Sequence, residues 1–87
     1  MTETFYVLIR ADGSEDMKQV KESALSLEFM QRLVGGHVET VTLVNWVMVV
    51  DEDGRHKNLP LNVRASAIAA QPIVGPAVFV PRNVGWG

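Results

Sequence analysis

The sequence predicts a small α+β domain: a mixed or antiparallel sheet of about five strands, one main helix packed on one face, and a second short helix. Three observations carry this expectation. Phe5–Arg10, Trp46–Val50 and Ala77–Val80 are dense in β-branched and aromatic residues, which suit a pleated surface. Apolar residues recur at helical spacing over Ser26–Val34, and an alanine-rich stretch follows at Val63–Ala70. The chain has 87 residues, enough for one domain with a modest core.

Taken in order, Phe5–Arg10 reads as the first strand. Asp12-Gly13 follows, a dipeptide that tolerates the positive φ angles of a tight hairpin turn. Glu15–Val20 is then a partner strand whose charges keep an outer edge solvated. Ser26 is placed to cap a helix, with Glu28 in the first turn and Leu25 and Met30 at hydrophobic-staple positions. Leu27, Met30, Leu33 and Val34 form its expected buried stripe, and Gly35-Gly36 stops it. A helix this short is unstable alone and has to be held against a sheet.

His37–Leu43 and Trp46–Val50 are the next two strands, joined by a tight turn at Val44-Asn45, and Asp51-Glu52-Asp53-Gly54 reads as a solvated turn. Asn58–Leu61 is irregular because proline disfavours helix in the residue before it. Asn62 is a candidate cap for the helix Val63–Ala70, which Gln71-Pro72 ends. Ala77–Val80 is the last strand. The domain is expected to span residues 1–80, with 81–87 a loosely ordered tail anchored by Trp86.

Side-chain alternation adds an expectation about assembly. Phe5, Val7 and Ile9 oppose Tyr6 and Leu8; Trp46, Met48 and Val50 oppose Val47 and Val49; Ala77 and Phe79 oppose Val78 and Val80. Three strands are thus apolar on both faces, as when both sides of a sheet are covered. The main helix covers one face. Small side chains on the second helix leave part of the other, so a homodimer is expected to bury the remainder, unless that helix and the tail close it within one chain.

Composition removes several function classes. With no cysteine there is no disulfide framework, thiolate metal site or thiol nucleophile. A net charge of −2 gives no basic field for nucleic acid. No apolar run approaches the length of a membrane span, and the first residues lack a basic signal-peptide region, so a cytoplasmic location is expected.

Candidate chemistry is sparse. Asp51, Glu52 and Asp53 suggest a calcium loop, but Arg55, His56 and Lys57 follow where oxygen ligands belong. His37 and His56 lack a third zinc ligand, and no metal site is expected. Ser14, Ser23, Ser26 and Ser66 lack the strand–turn–helix setting of a nucleophile elbow. Gly35-Gly36 has no Walker lysine beside it. Glu39 shares a strand face with Val41 and Leu43, and a carboxylate there needs a partner, for which Arg64 is the candidate.

Four segments in order carry a resemblance: Leu33-Val34-Gly35-Gly36-His37-Val38-Glu39, the apolar strand running into Asp51-Glu52-Asp53-Gly54, then Leu59-Pro60-Leu61-Asn62-Val63-Arg64-Ala65, and Ile73-Val74-Gly75-Pro76-Ala77-Val78-Phe79-Val80. From Tyr6 to about Val80 the chain resembles the family called domain of unknown function 3846, departing from it in the very short Val44-Asn45 turn. The resemblance implies a phage, prophage or plasmid setting and no particular activity. Its motifs single out Gly36, Glu39, Asn62 and Arg64 as a candidate ligand- or partner-binding site, with Arg64 anchoring an anion or carboxylate, Asn62 hydrogen bonding and Glu39 orienting Arg64.

The expected function is a non-enzymatic binding module engaging a protein partner, with no cofactor. The alternative is a protein that binds or sequesters a nucleotide or other small anion, using the Gly35 and Gly36 amides with Asn62 and Arg64. No acid–base pair stands at a readable spacing, so no enzymatic activity is expected.

Overall fold

The structure, a computed structural model, describes residues 2–84. In chain order it contains β1 (Glu3–Ile9), β2 (Glu15–Lys21), a 3-10 turn (Glu22–Ala24), α1 (Leu27–Val34), β3 (Val38–Thr42), β4 (Trp46–Asp51), α2 (Val63–Ala69) and β5 (Ala77–Pro81). The strands form one sheet in the order β2-β1-β5-β4-β3, and every pairing is antiparallel. The last strand therefore lies at the centre, between the β1–β2 and β3–β4 hairpins.

Local chemistry explains most element boundaries. Asp12 makes the first hairpin turn, its carboxylate accepting from the N–H and hydroxyl of Ser14. Ser26 caps α1 by accepting from the Phe29 N–H at 3.1 Å. Gly35 ends it at φ 85°, a left-handed conformation that glycine adopts without strain. At the sheet's far end the Leu43 N–H donates to the Trp46 carbonyl, closing the β3–β4 hairpin through Val44 and Asn45.

The two apolar faces separate as the alternation requires. Tyr6, Leu8, Val49, Val78 and Val80 lie beneath α1, with Leu25, Met30, Val34 and Val84 completing that core. Burying Leu25 and Met30 contributes about 1.5–3 kcal/mol each. Ile9, Met48, Val50, Ala77 and Phe79 occupy the opposite face, beneath Ala65 of α2 and Ile73.

Three expectations are corrected. Leu27 is 37% exposed rather than part of the buried stripe; Phe29 takes its place, packing edge-to-face on Tyr6. Asp51 is not in a solvated turn. It ends β4 with its side chain 1% exposed, and the segment after it leads to α2 rather than back into a hairpin. Pro81 closes β5 and Val84 is buried, so the packed domain continues past residue 80. Trp86, expected to anchor the tail, lies outside the described residues.

Candidate functional site

Asn62 is a structural pin. Its Oδ1 accepts from the Ala65 N–H at 3.0 Å, capping α2, while Nδ2 donates to the carbonyls of Ile9 and Gly75 at 2.9 Å each. The residue is fully buried, and one amide ties the start of α2 to the end of β1 and the approach to β5. Both ends are occupied, so nothing remains to offer a ligand.

Arg64 stands two residues further on, at the surface. Its guanidinium donates to the Gly13 carbonyl at 3.0 Å and to Glu15 at 3.4 Å, linking α2 to the first hairpin. The expected Glu39–Arg64 pair is absent: Arg64 takes Glu15, while Glu39 lies on β3 at the far edge of the sheet. A pair this exposed contributes little stability.

The glycine pair is also committed. The N–H groups of Gly35 and Gly36 both donate to the Gln31 carbonyl, so neither is free to cradle an anion. Gly36 lies against the Asp51–Lys57 pair: a Cβ there would meet Lys57 Nζ at 2.6 Å and the Asp51 carboxylate at 3.3 Å, so a side chain would displace the ammonium. Lys57 bonds Asp51 at 2.7 Å and the Gly35 carbonyl at 3.1 Å, clasping the loop after β4 to the end of α1. Burial by itself would raise the Asp51 pKa. The hydrogen bonds from Lys57 and the Asp53 N–H, with the charges of Lys57 and His37, override it and hold the carboxyl below the usual range.

Two of the four expected residues border cavities, but different ones: Arg64 lines a groove beside α2, and Glu39 a polar cleft of about 400 Å³ that also includes Glu52, Arg55, His56 and Gln71. Opposite charges mix there, which favours no one ion. Among the described residues no group of three or more acidic or histidine side chains could hold a metal.

An open apolar surface lies elsewhere, on the α2 side. Ala65 and Ala69 of α2 pack on this face, and two grooves stay open around Ile68. One flanking groove is lined by Val7, Ile9, Arg64, Ile68 and Phe79, the other by Leu43, Val44, Ile68 and Arg82, and Trp46 borders both. Phe5 meets Trp46 edge-to-face with ring centroids 5.8 Å apart. Ile68 is 49% exposed and Val44 83% exposed. The motif comparison missed this surface. Its signals were present, since Trp46 shares parity with Met48 and Val50, and Ile68 is the bulkiest apolar residue within an alanine-rich helix.

Residues 5–86 match the sequence profile described as domain of unknown function (DUF3846). The chain belongs to the DUF3846 family. No curated protein and no solved structure matches it. Among the described residues of this DUF3846 chain, no helix is long and apolar enough to cross a membrane.

Proposed function

We propose that this DUF3846 chain is a non-enzymatic protein-recognition module, serving the phage or mobile-element setting its motifs imply. The carrying observation is the apolar surface around Trp46 and Ile68, two grooves that share both residues, each with an arginine in its lining. Exposed apolar area of this kind, built around a tryptophan with arginine beside it, is the usual composition of a protein-binding hot spot. The fitting partner presents an apolar side chain to each groove and a carboxylate toward Arg82. The small-anion alternative draws less support, since the Gly36 amide, Asn62 and Arg64 are engaged internally.

The test compares the natural chain with Ile68→Glu, a change at a half-exposed position that leaves the core intact. Both are used to capture partners from the natural host, and the captured protein is then purified and titrated. Ile68→Glu is expected to weaken binding by about thirtyfold, the effect of losing one hot-spot residue, with unchanged thermal unfolding. Equal binding by both chains, or a stoichiometric nucleotide released on denaturing the purified protein, would overturn the reading.

A further inference from the structure

β3 is an edge strand, and the ladder on its inner side fixes what its outer side presents. The Leu43 N–H donates to the Trp46 carbonyl and the Glu52 N–H to the His37 carbonyl, each at 2.8 Å. Both pairs share the parity of Glu39↔Val50 and Val41↔Met48, so the odd-numbered residues use their backbone groups on β4. The N–H and C=O groups of Val38, Thr40 and Thr42 therefore point outward, free of the sheet. At the opposite edge β2 carries Glu15, Asp16, Lys18 and Lys21, charges that discourage further pairing. β3 has one charge, Glu39, no proline and no bulge in its pairing with β4.

We propose that β3 pairs with β3 of a second copy of this chain about a two-fold axis, continuing the sheet from one subunit into the next. One self-complementary antiparallel register centres on Val41. Val41 faces its own copy in a non-hydrogen-bonded pair, with Cα atoms about 4.5 Å apart. Thr40 faces the second copy's Thr42, and these outward residues supply the inter-chain hydrogen bonds. Glu39 falls opposite the second copy's Leu43, which keeps the two carboxylates apart; shifting the register to oppose Glu39 to itself sets like charges face to face. Val38 and Val41 each pack only partly into their cores, and the added strand completes the cover of both. This interface adjoins the Trp46–Ile68 surface at Leu43, which lines one of its grooves, and it places two such surfaces on one side of a continuous sheet.

Sedimentation equilibrium of the intact chain tests the proposal, alongside Thr40→Lys, which guards the edge without entering the core. The chain contains no cysteine, so Val41→Cys is a clean probe of the register, with Lys18→Cys on β2 as its control. The natural chain is expected to shift from one to two chain masses with rising concentration. Thr40→Lys should weaken this at least about tenfold with an unchanged circular dichroism spectrum. Oxidation should link Val41→Cys into a disulfide dimer and leave Lys18→Cys largely unlinked. A natural chain that stays monomeric to millimolar concentration, leaving the edge to a different protein's strand or to water, overturns the proposal. So does a dimer that Thr40→Lys leaves intact, or one that Lys18→Cys links and Val41→Cys does not.

Discussion

Replacing Asn62 by aspartate separates two accounts of this residue. As a helix cap alone, aspartate serves as well as asparagine, because only the acceptor matters. As a pin, asparagine is irreplaceable: the two donors to the Ile9 and Gly75 carbonyls disappear, and a carboxylate faces both oxygens without water. Each buried acceptor left unsatisfied costs about 1–3 kcal/mol. Asn62→Ala loses those donors and the cap, a further ~1 kcal/mol, for a total of about 3–7 kcal/mol. A domain of this length has roughly 4–13 kcal/mol in all, so the alanine variant should melt at least about 12 °C lower. Asn62→Asp should be worse still at pH 7, because it also buries an unpaired charge. Burial raises that new carboxyl's pKa, so the folded state favours the protonated form. Stability should therefore recover as pH falls through the raised value and be fullest below about 4, the unfolded value. Urea unfolding followed by circular dichroism at pH 7 and pH 4 reads all three chains. An aspartate variant as stable as the natural chain at pH 7, or more stable than the alanine variant, would refute the pin.

Two further outcomes follow from the backbone and the clasp. Ala70 ends α2 at φ 56°, a left-handed conformation that costs a residue with a Cβ about 1–2 kcal/mol, so Ala70→Gly should raise the urea midpoint by the equivalent of up to about 1 kcal/mol. Asp51 titrates below the usual range, so its paired form contributes stability fully above about pH 4 and loses it as pH falls through the depressed folded value. Lys57→Met strands that carboxylate and should cost about 1–3 kcal/mol at pH 7. The deficit should narrow in acid, measured by the same urea curves at pH 7 and pH 3.

The sequence carried the local structure more fully than the site. Asp12-Gly13, Ser26 and Gly35 act through neighbours within four positions, so their turn, cap and stop could be read directly. The two-faced strands likewise announced a sheet covered on both sides. Strand order left no such trace. Once β5 enters between β1 and β4, β3 becomes an edge and α2 leans toward the first hairpin, which gives Arg64 to Glu15 instead of Glu39. Asn62 was legible as a cap because Ala65 is three residues away; its other two bonds reach Ile9 and Gly75, and no local pattern encodes them. Asp51 looked like one more polar residue in a turn until the fold brought Lys57 and Gly36 against it.

The central position of β5 sets the order in which this chain can acquire its structure. Each flanking hairpin closes over a short loop, but no strand pairing joins the two until Ala77–Pro81 is available to bond both β1 and β4. Val7 must find Phe79, a closure spanning most of the chain, and the entropy of that loop is lost before the contacts that reward it form. During synthesis the growing polypeptide therefore carries two unjoined ribbons, each with an apolar flank open to water, until its last strand emerges. A truncation upstream of Ala77 therefore removes the strand that hydrogen-bonds both hairpins, rather than trimming an edge of the sheet.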